Sequence, residues 1–127
     1  MIRKRWMVIT PEEWVRQNFL LYLTSVLHYP PSLIAVEKKL LLGDVTKRFD
    51  IVIYDNTATP YMIVECKEMN VNLNEKALSQ ALRYNIKLQA SWIIITNGSY
   101  CAAYQNTEQD FKSMNQIPVF NSNRPGN

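Results

Sequence analysis

The chain is poor in metal-binding and disulfide-forming side chains. It has one histidine, His28, and two cysteines, Cys66 and Cys101, that stand far apart. So thin a set cannot build a four-ligand structural zinc site, and it does not form a disulfide framework. Two free thiols fit a reducing compartment. Also missing is any GxxxxGK[ST] loop, so a P-loop nucleotide motor is excluded. No apolar run is long enough to span a bilayer. The basic N-terminus, Arg3-Lys4-Arg5, is not followed by an apolar signal core, and the expectation is a cytoplasmic protein without membrane attachment. Charge of one sign is scarce as well. The net charge of +3 permits a nucleic-acid partner without requiring one. What is present is ordinary for a globular protein: 47% hydrophobic and 20% charged residues in 127. That length supports one domain, 1–127, and one sizeable core.

Along the chain, Thr10-Pro11-Glu12-Glu13 has the signature of a helix start. Thr10 is the N-cap, Pro11 takes the first helical position and Glu13 closes a capping box. The run from Trp14 to Leu27 then carries apolar residues at helical spacing, and Pro30-Pro31 lies beyond its end. Residues 33–42 read as a strand, and Gly43-Asp44 as a turn. Arg48 to Tyr54 is a second strand, with Phe49, Ile51 and Ile53 on one face and Asp50, Val52 and Tyr54 on the other. The turn residues 55–60 make it a hairpin with a third strand, Tyr61 to Lys67. A second helix is expected over Asn74 to Leu88, with Ala77, Leu78, Ala81 and Leu82 as its buried stripe. Ser91 to Thr96 is an almost wholly apolar strand of the kind buried on both faces. Asn97-Gly98 turns the chain, and Tyr100 to Tyr104 adds an edge strand. The expected class is α/β with a mixed central sheet in the order αβββαβ. Its core covers about residues 10–105, with 106–127 as a peripheral tail, frayed from Asn121.

The third strand carries the chemistry. Alternation puts Tyr61, Ile63, Glu65 and Lys67 on one face, so a charged pair projects from the end of an apolar segment. Burying an unpaired charge is costly. Asp50 interrupts the preceding apolar strand, and hairpin pairing brings it beside Glu65. At an effective dielectric near 20 and a separation of about 5 Å, two carboxylates repel by roughly 3 kcal/mol. A hard divalent cation such as Mg²⁺ removes that cost, because it prefers carboxylate oxygen and keeps several waters. It also activates water, while Lys67 is suited to orient that water or to offset charge on a phosphate. The competing reading is a structural salt bridge between Lys67 and either acid.

Arg48-Phe49-Asp50, Glu65-Cys66-Lys67 and Gln80-x-x-x-Tyr84 together resemble the PD-(D/E)XK nuclease superfamily. Pro11-Glu12-Glu13-Trp14-Val15-Arg16-Gln17, Val36-Glu37-Lys38 and Thr96-Asn97-Gly98 resemble the N-terminal nuclease domain of type I restriction endonuclease R subunits. The resemblance covers about residues 10–105 in the right order, and Phe49 stands where the motif has proline. It implies a restriction-endonuclease-like fold and a Mg²⁺-dependent endonuclease acting on DNA, with Mn²⁺ able to substitute. Asp50, Glu65 and Lys67 would be the catalytic centre, and Asp50 and Glu65 the metal ligands. The alternative is a non-catalytic nucleic-acid-binding module on the same fold. With no motor in the chain, the resemblance implies a stand-alone domain or a fragment, acting as a homodimer or within a larger restriction-type complex.

The same resemblance gives Gln80 a supporting catalytic role and brings Tyr84 to the nucleic acid, although Tyr84 also suits an ordinary core position. Glu13 and Glu37 are further candidate metal ligands. The capping box already accounts for Glu13, whereas Glu37 suits the metal site and a lysine pair across strands equally. Lys47, Arg48 and Arg83 are candidates for phosphate contacts or for a solvated basic edge. Cys66 is a small core residue, and His28 suits a helix C-terminus without a catalytic role.

Overall fold

A computed structural model describes residues 10–68, 75–107 and 110–121. The basic N-terminal residues, the start of the second helix at Asn74 and the tail from 122 lie outside the described residues, as do the side chains of Ala77 and Leu78. The elements run α1 (Pro11–Ser25), a short 3-10 turn (Pro31–Leu33), β1 (Ile34–Leu42), β2 (Val45–Tyr54), β3 (Pro60–Cys66), α2 (Glu75–Leu88), β4 (Trp92–Thr96), β5 (Cys101–Asn106) and β6 (Phe111–Met114). The αβββαβ order expected from the sequence is therefore present.

One six-stranded sheet holds the strands in chain order, β1 to β6. Every neighbouring pair is antiparallel except β3 and β4, which are parallel and joined through α2. That crossover follows from chemistry. A parallel partner cannot be reached by a tight turn, and the helix between them covers one face of the sheet. All five residues of β4 are buried, as its continuous apolar run requires. α1 covers the opposite face: Val15, Phe19 and Leu23 pack with Ile51, Ile53, Met62, Val64, Cys66 and Ile94. On the α2 face, Phe49, Val52, Ile63, Leu42 and Ala90 form a second cluster, with Tyr84 and Leu88 against it. Among the described α2 side chains, Asn85, and not an apolar residue, is the most completely buried, at 2% exposure. Its amide satisfies itself by bonding the carbonyl and the N–H of Ala90 at 3.0 and 2.9 Å, which fixes the turn from α2 into β4.

Besides Tyr61, which packs on the α1 face with Met62 and Val64 and not with Ile63, the fold departs from the sequence expectation in two places. The first is in β2. Phe49 lies on the α2 face with Val52, whereas Ile51 and Ile53 lie on the α1 face. Strict alternation would put Phe49 with Ile51, so the strand changes phase at Asp50. β1 does the same. Ile34 packs on the α1 side, but Leu40 and Leu42, also at even positions, pack on the α2 side. The change falls at Glu37, whose φ is 50°. The register is unaltered on either side, with Val36 opposite Ile51 and Lys38 opposite Phe49, so Glu37 stands opposite Asp50 where both strands turn over.

The second departure is at the C-terminal end. The stretch after 106 adds β6, and the chain then returns to the core. The Phe120 N–H donates to the Leu27 carbonyl at 2.9 Å, and the Tyr29 hydroxyl to the Pro118 carbonyl at 2.7 Å. Phe120 and Tyr29 also meet edge to face at 5.6 Å. A polar strand such as Phe-Lys-Ser-Met carries little alternation, which is why no periodicity announces it.

A non-glycine residue in the left-handed region costs roughly 1–2 kcal/mol. Glu37→Gly should therefore be more stable than Glu37→Ala by about 1 kcal/mol in urea unfolding, since both lose the carboxylate and only glycine relieves the backbone. Equal stabilities would show that the backbone at this position is unstrained.

Candidate functional site

The phase change sets Asp50 between the two faces. Continuing the register from Ile51 opposite Val64 puts Asp50 opposite Glu65, as hairpin pairing requires. Asp50 Oδ2 accepts the Cys66 N–H at 2.8 Å, so its carboxylate is tied to the end of β3. Glu65 lies near enough to Asp50 for the two carboxylates to repel. Burial, then repulsion from Asp50 against the opposing pull of Lys47, pushes Glu65 up to about 7.

On the α2 side a cleft of about 80 Å³ is lined by Lys47, Glu65, Lys67, Gln80, Ala81, Tyr84 and Ile95. A single water needs about 10–15 Å³ of such space, so the cleft has room for a hydrated ion. Lys67 follows β3 and donates its N–H to the Thr96 carbonyl at 2.8 Å, which fixes its backbone beside β4. Gln80 and Tyr84, one helical turn apart on α2, both reach this cleft. Tyr84 packs edge-on against Phe49 at 6.3 Å. Lys47 Nζ lies 3.2 Å from Glu65 Oε2. Glu65, Lys67, Gln80, Tyr84 and Lys47, drawn from β2, β3, α2 and the residue after β3, thus line one cleft, and Asp50 adjoins it through its pairing with Glu65.

On the α1 side Asp50 lines a second hollow, of about 250 Å³, with Thr10, Glu12, Glu13, Arg16, Glu37 and Arg48. Here Arg16, 15% exposed, bonds both Glu13 (3.1 Å) and Glu37, and so straps α1 to β1. Arg48 adds a looser contact to Glu37 at 3.7 Å. Both acids proposed from sequence as extra metal ligands therefore act as partners of Arg16. The N-cap holds as expected, with the Glu13 N–H donating to Thr10 Oγ1 at 3.1 Å. Arg83 is exposed on α2 and does not line the cleft.

Glu12 was not singled out by the sequence, yet it is the α1 acid coupled to the site. Burial and then the charge of Asp50 raise its pKa, while Lys67 and Arg16 pull it down. Nothing in a Glu-Glu pair says which of the two turns inward, because adjacent helical positions differ by about 100°. Cys66 is fully buried, and burial raises its thiol well above the ordinary range, so it is a packing residue without nucleophilic character.

Do these residues suit a divalent cation? Two carboxylates held against each other, one of them driven toward its neutral form, are a donor set whose repulsion a cation would relieve. Among the described residues no three acidic, histidine or cysteine groups converge on one point. A Mg²⁺ site does not need a third, since that ion takes one or two carboxylates together with water and phosphate oxygen. The set fits.

Fold and site together define a nuclease-like α/β domain. The sequence matches the family described as the type I restriction enzyme R protein N terminus over residues 11–118, and the chain belongs to that family. No curated protein matches it significantly. Among solved structures it is similar to a proposed nuclease of the DUF820 group from Anabaena variabilis, at 12% identity and a TM-score of 0.58, over 94% of this chain and 77% of that one. It is also similar to the type IIG restriction endonuclease BpuSI, at 22% identity and a TM-score of 0.51. That match spans 86% of this chain but 13% of BpuSI. The shared feature is the restriction-endonuclease-like fold. No helix among the described residues is long and apolar enough to cross a membrane.

The Glu65 carboxyl generates a signed prediction. Its folded pKa lies above its unfolded value of 4.5, so folding favours the protonated form. The penalty is absent below 4.5, grows as pH rises toward about 7 and is complete above that. Metal-free wild type should lose on the order of 2–3 kcal/mol relative to Glu65→Gln between pH 4.5 and 8, read by urea unfolding in EDTA. Parallel profiles for the two proteins would mean that Glu65 is not raised.

Proposed function

We propose that this chain is a Mg²⁺-dependent endonuclease domain of the PD-(D/E)XK type, hydrolysing DNA phosphodiester bonds. The observation that carries the reading is the meeting of Asp50 and Glu65 at the phase change in β2, with Lys67 beside Glu65 in the cleft. Asp50 and Glu65 would hold the cation. When bound, it supplies Lewis-acid polarisation of a phosphate and makes water a stronger nucleophile at neutral pH. Mn²⁺ should substitute, because oxygen sites of this kind bind it no more weakly.

The side chains divide the remaining work. Lys67, anchored through its N–H to β4, offers an ammonium that orients the attacking water or offsets charge on the phosphate. The amide of Gln80 sits at the cleft rim, suited to support the water network around the centre. Tyr84 and Lys47 at the cleft, with Arg48 and Arg83 further out, are proposed to contact the strand. Such contacts to phosphate need only cations and hydroxyls, and they give no sequence preference. One chain carries one such centre. A double-strand cut would therefore need a homodimer, two successive nicks or a larger restriction-type complex.

The test is plasmid nicking with Mg²⁺ or Mn²⁺. Asp50→Ala, Glu65→Ala and Lys67→Ala should each abolish cleavage to nearly the same extent, because residues acting as one unit are not additive. Gln80→Ala should lose less, about 10- to 100-fold, as expected of a group that supports ligands. Substantial cleavage by purified Glu65→Ala would remove the assignment.

A further inference from the structure

Lys47 is a lysine held in a way that a solvated surface residue is not. Its Nζ donates to the Arg48 carbonyl at 2.8 Å and to Glu65 Oε2 at 3.2 Å. It also stands 4.9 Å from the centroid of the Phe49 ring and 5.1 Å from that of Tyr84. A lysine head normally reaches for water. This one is 25% exposed and is gripped by groups from β2, β3 and α2. Ring faces attract an ammonium without neutralising it, so the cage keeps the charge in place and leaves it available.

The position matters because Glu65 is the same carboxylate that a divalent cation would use. Asp50 and Glu65 are the two acids at the centre, and Lys47 and Lys67 are the two lysines of the cleft. A divalent cation added to that balanced set leaves the cleft positive. Like charges at one carboxylate repel, so the arriving ion and the Lys47 ammonium must compete, and the coupling is reciprocal.

We propose that Lys47 is a built-in placeholder, a positioning residue that neutralises Glu65 until the divalent cation arrives and then turns its ammonium to the phosphate of the bound strand. The idea rests on the nuclease reading above and deepens it. No bond forms or breaks in this exchange: one ion pair is replaced by another. The aromatic cage allows it, because Phe49 and Tyr84 hold the head on the cleft side while its partner changes.

The test uses the full chain with Mg²⁺ as the probe, comparing wild type with Lys47→Met and Lys47→Arg. Lys47→Met keeps the packing of the stem and removes the charge, and folding of each variant is checked by its melting temperature in EDTA. The readout is the Mg²⁺ concentration that gives half of the thermal stabilisation, measured at pH 9 so that Glu65 is ionised. Removing a competing cation should lower that concentration by about fivefold, the equivalent of one partly exposed ion pair. Lys47→Arg, which keeps the charge, should stay near wild type. Nicking should move the opposite way, with Lys47→Met slower at saturating Mg²⁺ although it binds the ion more tightly. A residue with only a structural role would not produce that opposition. Equal or higher half-saturation in Lys47→Met, beside a normal wild-type response, would overturn the placeholder and leave the nuclease reading intact. A wild type that Mg²⁺ does not stabilise would remove the metal centre itself, and the placeholder with it.

Discussion

Two carboxylates brought together in a half-buried place are the constraint around which this domain is arranged. At an effective dielectric near 20 and about 5 Å, their repulsion is roughly 3 kcal/mol, a large share of the stability of a domain this size. The molecule meets that cost locally. The Cys66 N–H binds Asp50, Lys47 faces Glu65, and burial pushes the Glu65 carboxyl up to about 7. Each of these contacts relieves the repulsion only in part, and the proposed divalent cation would relieve the rest.

Holding such a pair requires rigidity, and the sheet supplies it. Ile51, Val52, Ile53, Met62, Val64, Ile93, Ile94 and Ile95 are almost completely buried, and they form a slab packed on both faces at the base of the site. At the polar end of that slab, β1 and β2 turn over together at Glu37 and Asp50. The turnover frees Asp50 from the alternation that would otherwise fix it on a single face. Arg16 then ties α1 to β1 through Glu13 and Glu37, directly beside the distorted pair. An arginine with two bonded carboxylates and 15% exposure keeps its geometry better than a solvated ion pair does.

Much of this was legible in the residues. The capped helix start, the hairpin of β2 and β3 and the buried β4 follow from turn chemistry and apolar period, and the hairpin alone brings Asp50 to Glu65. The phase change was not legible, because Phe49 is apolar and fits a core on either side of the sheet. A one-residue slip is tolerated only where both faces of the sheet are apolar, and here α1 and α2 make them so. The distinction between Glu12 and Glu13 depends on where Arg16 finds partners, which is tertiary information. The cage around Lys47 needs Tyr84, brought from α2 across the sheet, and no local pattern encodes that meeting. β6 and the return of Phe120 to Tyr29 escape notice because their sequence is polar and aperiodic until the fold supplies an apolar wall.

The two parts of the molecule differ in how much substitution they tolerate. The fold is shared with structures at 12% and 22% identity, so most of its packing can be rebuilt from other side chains of similar volume. Hydrophobic burial is non-directional, and a slab of isoleucine and valine has many equivalents. The site has few. If Asp50 and Glu65 hold a cation as proposed, a carboxylate shortened or lengthened by one methylene would move its oxygens by more than the ion's coordination shell allows, and an amide in its place would carry no charge. Lys47 and Lys67 likewise work only with the acids they balance. On the proposed reading, the functional evidence in this sequence therefore lies less in overall similarity than in the acid that interrupts β2, the acid near the end of β3 with a lysine just beyond it, and the hairpin that sets the two acids face to face.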